Sequence, residues 1–149
     1  MNNINIRQAV HSDIETLVPM FDAYRQFYGR ESDPLGAREF LFARFNHGES
    51  TLFIAHEADT GIGFAQLYPS FSSTSLARAF ILNGLFVYGS HRREGVGKLL
   101  IGAAIDCSKS LGATRVTLST AINNAPAHAL YRSCGWKPDE QFVVYHHTI

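Results

Sequence analysis

Arg92-Arg93-Glu94-Gly95-Val96-Gly97 stands between a run of strand formers and a run with helical spacing. The first turn of a helix leaves backbone N–H groups without intrahelical partners and carries the positive end of the macrodipole. Gly95 and Gly97 remove the side chains that would hold a diphosphate away from those amides. Arg92 and Arg93 add charge-assisted donors nearby. The chemistry on offer is anion binding. A P-loop would need glycine at position 92 and serine or threonine after the lysine, where this chain has Arg92 and Leu99. A dinucleotide fingerprint would want glycine or alanine at position 100, which is Leu100, and would follow the first strand rather than the fourth. A glycine-rich turn that binds nothing is the plain alternative.

A second constellation runs Asn124-Ala-Pro-Ala-His-Ala-Leu-Tyr131-Arg-Ser-Cys-Gly135-Trp136. Pro126 suits the first turn of a helix. Ala127, Leu130 and Tyr131 fall three and four residues apart and share a face. A tyrosine held against a reacting centre can protonate a leaving thiolate. The competing reading is a core tyrosine on an amphipathic helix. The histidines, His146-His147 among them, form no i,i+4 pair with a carboxylate partner, and no metal site is expected.

The elements that would position these groups follow from periodicity and capping. Asn5 to Val10 reads as a strand, and Ser12 or Asp13 caps a helix that runs to about Gly29. Asp33 and Pro34 start a second helix that ends near Gly48. Thr51–Ala55 and Ile62–Tyr68 form a hairpin about the Asp59-Thr60-Gly61 turn, and Pro69–Ser75 reads as a loop or an irregular strand end. Arg78–Tyr88 is a long apolar run that fits a central strand. The helix after the glycine-rich turn carries Leu100, Ala103, Ala104 and Cys107, and Gly112 ends it. Val116–Ser119 is a strand and Asn124–Cys134 a helix stopped by Gly135. Trp136 and Phe142–Tyr145 read as closing strands. The order is β1-α1-α2-β2-β3-β4-α3-β5-α4-β6-β7, an α/β fold with a mixed sheet covered by helices on both faces.

Composition sets the frame. At 149 residues, 46% hydrophobic and 17% charged, the chain is long enough for one domain with a core of its own. Lys+Arg and Asp+Glu number 13 each, so the basic excess of a nucleic-acid binder is missing. Cys107 and Cys134 lie in no CxxC or zinc-finger spacing and read as free thiols. MNNINIRQAV lacks the pattern of a signal peptide, and no apolar run approaches the roughly 20 residues of a membrane span. A cytoplasmic protein is expected, with no membrane partner.

Together the two segments resemble a known family. Arg92-x-x-Gly95-x-Gly97 resembles the acetyl-CoA signature of the GNAT superfamily of N-acetyltransferases, and Asn124-x-x-Ala127-x-x-Leu130-Tyr131-x-x-x-Gly135-Trp136 resembles its later segment. Order and spacing agree over essentially the whole chain. The resemblance implies a GNAT-like fold and a single N-acetyltransferase domain over residues 1–149. It also implies acetyl-CoA as acyl donor, and a small-molecule or peptide amine that attacks the thioester directly. Phe86 and Val87 would then offer backbone groups to the pantetheine arm. Arg92, Arg93, Gly95, Val96, Gly97 and Lys98 would face the diphosphate, and Asn124 would bind the cofactor near its pantetheine end. Tyr131 would be the general acid for the CoA thiolate, and an amide of the splayed strand would stabilise the oxyanion. Closing strands of this family that pair across dimers leave room for a homodimer.

Relatives such as the diamine acetyltransferases carry acidic residues where this chain has Asn83 and Gly84, so no general base from that strand is available. Glu57, His56, Asp22 or a water remain as candidates. The same loss weakens a polyamine acceptor. Tyr24, Tyr28 and Tyr68, with Phe27 and Phe71, are the aromatics available to line an acceptor pocket. A non-catalytic CoA-binding module on the same fold, or a protein holding another diphosphate on Gly95–Gly97, are the rival readings.

Overall fold

In the computed structural model, which describes residues 3–149, β1 (Ile4–Gln8) is followed by α1 (Ile14–Phe27) and α2 (Pro34–Asn46). β2 (Thr51–Glu57), β3 (Thr60–Ser72) and β4 (Ala77–Val87) come next, then α3 (Val96–Ser110), β5 (Ala113–Thr117) and α4 (Ala125–Ser133). The chain divides into two units, one ending at Ser119 and the other spanning Thr120–Ile149.

The first unit holds a five-stranded sheet in the order β1-β2-β3-β4-β5. The first three pairings are antiparallel, and β5 joins β4 in parallel after the α3 crossover. Side chains alternate between faces along a strand. Phe64 is fully buried with Leu17 and Phe21 of α1, Leu41 of α2, and Leu52, Ile54 and Phe86 of the sheet. Gly63 points the other way, and a Cβ placed on it would lie 2.6 Å from the Phe86 carbonyl oxygen and 3.3 Å from Leu100 of α3. The helices α1 and α2 therefore cover one face and α3 the other, so helices flank the sheet as the element order requires.

Local signals explain most element ends. The Asp33 side chain accepts the Gly36 N–H at 2.9 Å with Pro34 in the first turn, so α2 starts as its sequence predicts. Asp13 acts differently. A 3-10 turn over His11–Asp13 precedes α1, and the Asp13 carboxylate makes no cap bond to that helix. It accepts the Val10 N–H at 2.7 Å and takes both terminal nitrogens of Arg7 at 2.7 Å. The bidentate pair ties β1 to the entry of α1.

Two expectations at strand level are corrected. Pro69 to Ser72 belongs to β3, with Pro69 opposite Phe80. Proline is tolerated because β2 begins opposite Leu67, so past that point the β2 side of β3 is an unpaired edge that needs no N–H donor. The closing strands are not formed. Residues 136–149 carry no strand, and Phe142, Val143, Val144 and Tyr145 are all exposed. The unit from Thr120 onward contains one helix and no other strand, so it offers these β-forming residues no ladder partner of its own. Among the described residues no helix is long and apolar enough to cross a membrane.

Candidate functional site

The site in the first unit is built on β4. Its register with β3 jumps between Gln66 and Leu67, which face Gly84 and Leu82, so Asn83 is the extra residue of a β-bulge. Bulges re-aim the strand that carries them. β5 pairs with β4 only from Arg78 to Ile81, and among the described residues no strand pairs with the edge from Leu82 to Val87 on that side, which leaves the ladder open there. The Tyr88 N–H donates to the Ile62 carbonyl at 2.9 Å, so the backbone groups of Tyr88, and by alternation those of Phe86, face β3. Leu85 and Val87 face the open edge. Of the two residues expected to offer backbone groups, Val87 is so placed, and Phe86 turns its groups into the sheet. Leu85 faces that edge as well.

The open edge leads into the glycine-rich turn. Gly95 adopts φ +82°, and nothing lies within 4 Å of where a Cβ would stand. That left-handed residue caps α3 with no side-chain cap bond and no acid in the first turn. The first intrahelical bond runs from Leu99 N–H to Gly95 C=O at 3.1 Å, so the amides of Val96, Gly97 and Lys98 precede the helical ladder. Val96 is buried and anchors the turn, and Arg92, Arg93 and Lys98 are exposed. Arg93 also sits at positive φ, +66°. The Arg92 Nε donates to the Val87 carbonyl at 3.0 Å and links the turn back to β4.

The turn carries acid as well. His91 Nε2 lies 3.6 Å from Glu57 Oε1, and Ser90 Oγ is 2.9 Å from His91 Nδ1. The ligand atoms of Glu57, His91 and Glu94 all fall within 4.8 Å of one another. No sequence spacing announces this group, because Glu57 arrives from β2.

Of the aromatics expected for an acceptor, Tyr24, Tyr28 and Tyr68 stand on the side of the bulge, whereas Phe71 lies opposite Arg78 at the far end of β3 and is exposed, as is Phe27. The Tyr24 hydroxyl donates to the Asn83 carbonyl at 2.8 Å. The Tyr24 ring lies 5.7 Å from Phe64 and 5.1 Å from the half-exposed Tyr28. Tyr68 shares its sheet face with Phe64 and Gln66, and its hydroxyl donates to Gln66 Oε1 at 3.2 Å. Burial pushes the Tyr68 hydroxyl pKa up, against the pull of nearby Arg44. Gln66 is buried, and a Cβ on Gly84 would stand 3.2 Å from Phe64 and 3.6 Å from Gln66. Gln66 was not expected at the site, although a lone amide inside the apolar run GFAQLY is a legible signal.

None of the candidate bases belongs to the bulge. Asp22 is buried and accepts from Ser32 Oγ and Asp33 N–H, each at 2.7 Å, and from Gln26 Nε2 at 3.1 Å. Those bonds, the Asp33 amide first, hold its carboxyl below the usual range, so it closes the α1–α2 loop. His56 and Glu57 pair with Gly61 and Thr60 at the hairpin end. At about 3.3 Å per residue, that end is roughly 17 Å along β3 from Gln66.

The second unit carries the later motif. Asn124 caps α4, accepting the Ala127 N–H at 3.3 Å, with Pro126 in the first turn. Tyr131 lies in the last turns of α4 with its ring 6.0 Å from Trp136. The Trp136 N–H donates to the Tyr131 carbonyl at 3.0 Å, and Gly135 at φ +88° ends the helix between them.

With this geometry in hand, comparison with known proteins is direct. The sequence model of the acetyltransferase (GNAT) family matches residues 17–136. An uncharacterized N-acetyltransferase of Bacillus subtilis (strain 168), YhfO, is 46% identical over 142 residues, 95% of each chain. A probable acetyltransferase of Haemophilus influenzae (strain Rd) is 34% identical over 126 residues, 84% of each. The crystal structure of a probable acetyltransferase superposes with a TM-score of 0.93 at 37% identity, covering 97% of both chains.

Proposed function

This chain belongs to the acetyltransferase (GNAT) family, and from that premise we propose that it transfers an acetyl group from acetyl-CoA to a primary amine of a small molecule or peptide. We read residues 1–149 as one domain for that reaction, since the family match spans both units. The observation that carries the proposal is the open edge of β4 from Leu82 to Val87, which runs into the uncapped first turn of α3. An extended amide-bearing arm can add to such an edge by main-chain hydrogen bonds, and a diphosphate can sit on such a helix start.

In this reading Leu85 and Val87 bind the pantetheine arm. The amides of Val96, Gly97 and Lys98 bind the diphosphate, with Arg92 and Arg93 as charged donors. Asn124 supports the arm near its thioester end. The acceptor amine enters by the bulge, among Tyr24, Tyr28 and Tyr68. Its nitrogen lone pair forms the C–N bond at the thioester carbonyl while an open-edge amide of β4 holds the oxyanion. The C–S bond then breaks, Tyr131 gives its hydroxyl proton to the leaving thiolate, the amine proton passes to water, and the tyrosinate takes a proton back from water to restore the acid. With Asn83 and Gly84 at the bulge, no strand carboxylate accepts that proton.

The test is thiol release from acetyl-CoA against polyamines, amino acids of both hands, aminoglycosides and basic peptides. Turnover with one amine class supports the reading and names the acceptor. CoA binding without turnover would favour a non-catalytic CoA-binding module. Absence of CoA binding would end both.

A further inference from the structure

Asn83 is exposed and is the one β4 residue with no partner opposite it on β3, yet its carbonyl is held by Tyr24 from α1 at 2.8 Å. The extra residue of a bulge is left unpaired and the ladder is disrupted around it, so its peptide is held less firmly than those on either side. Whatever holds that peptide also sets the direction of the residues that follow. Here the following residues are Gly84, whose backbone meets Gln66 across the ladder, and Leu85, which faces the open edge. Tyr24 is a stiff strut for this purpose. Its ring packs edge-on against Phe64 at 5.7 Å, beside Phe21 at 6.3 Å and Tyr28 at 5.1 Å, and Phe64 is fully buried.

We propose that Tyr24 is a positioning residue. By gripping the Asn83 carbonyl it sets the bulge, and through the bulge the direction in which the Leu85 N–H is presented at the open edge. The inference rests on the acyl-transfer reading above, in which an amide of that edge meets the developing oxyanion. It differs from a role in acceptor binding, because the Tyr24 hydroxyl acts on the protein backbone. A small error in such an amide is expensive, since oxyanion donors work only at hydrogen-bond distance from the charge that develops, and about 1 Å of misplacement costs on the order of 100-fold in rate. Losing one of several constraints on the peptide should cost less, about tenfold.

The test uses the full chain with Tyr24→Phe, which keeps the ring and removes the grip. Two readouts are taken. Amide hydrogen exchange and the 15N–1H shift of Leu85 report the bulge without reference to activity. Steady-state kinetics with the acceptor found in the panel report the reaction. The expected result is faster exchange and a moved shift at Leu85, a kcat about tenfold lower, and an acetyl-CoA KM within about twofold of the parent. Tyr24→Leu, which also removes the ring, should enlarge both changes. An unchanged Leu85 amide in Tyr24→Phe overturns the proposal, as does a rise confined to the acceptor KM, which would make Tyr24 a substrate contact. If the parent chain turns over no amine, the acyl-transfer reading fails by itself, while the Leu85 amide still decides whether Tyr24 holds the bulge.

Discussion

Arg92 Nε donates to the Val87 carbonyl at 3.0 Å, so the first arginine of the glycine-rich turn is bonded to the last residue of the open strand edge. One side chain thereby connects the surface proposed for the pantetheine arm with the surface proposed for the diphosphate. Arg92→Gln keeps an N–H donor at the ε position and loses the charge and the guanidinium head. CoA affinity measured by calorimetry should fall about tenfold, with a weaker dependence on salt, because a charged donor to an anion is lost. An unchanged Kd would refute the assignment of this turn to the diphosphate.

Tyr131→Phe separates catalysis from binding. The ring packs 6.0 Å from Trp136 and its packing survives the substitution. A general acid contributes on the order of 100-fold or more. Thiol release should therefore fall by about that factor while calorimetric CoA binding stays the same. Equal turnover in both proteins would remove Tyr131 from the mechanism.

Stability should depend on acid in a direction set by Asp13 and Asp22. Hydrogen bonding to Arg7 lowers the Asp13 pKa, and the Asp33 amide and Ser32 hydroxyl lower that of Asp22. A carboxyl whose folded pKa lies below its unfolded value of about 3.9 stabilises the fold above that value. The contribution disappears as pH falls through the folded pKa. Urea midpoints should hold from pH 7 down to about pH 4 and then decline. Asp13→Asn, which loses a charge-assisted pair with a half-exposed Arg7, should cost about 1 kcal/mol at pH 7 and much less at pH 2. A cost that is equal at both values would contradict the account.

Gly63→Ala probes the close approach of the β3 and β4 backbones beneath α3. The new Cβ would meet the Phe86 carbonyl oxygen at 2.6 Å, and that oxygen belongs to the ladder, with no side-chain rotation to relieve it. Overpacking of this kind costs about 2 kcal/mol. A fall in melting temperature of about 4–8 °C follows for a chain of this size. A melting temperature unchanged by the substitution would show that the sheet yields there.

Much of this was legible in advance, and for local reasons. Asp33 and Pro34 marked the start of α2, and Gly112 and Gly135, both at positive φ, marked the ends of α3 and α4. Gly95 between a strand and a helix marked the start of α3, since a left-handed glycine followed by uncapped amides is a property of the few residues concerned. Of the two cap candidates Ser12 and Asp13, Asp13 does stand at the N-cap of α1, but Arg7 on β1 competes for the carboxylate that a helix cap would use. Phe142–Tyr145 has the composition of a strand, but a strand is completed by its neighbour, and the residues from Thr120 onward include none.

The sequence alone determined the family, the element order as far as α4, the glycine-rich turn and the later Asn124–Tyr131 segment, because each is written in spacing along one stretch of chain. Only the tertiary structure decided which backbone groups of β4 are available, that Leu85 rather than Phe86 faces the open edge, that Asn83 is the bulge, and that Tyr24 grips it. Those facts depend on register between strands and on which helix packs over them. A shift of one residue in register turns every group to the opposite side, and nothing in a single strand's own composition records that choice.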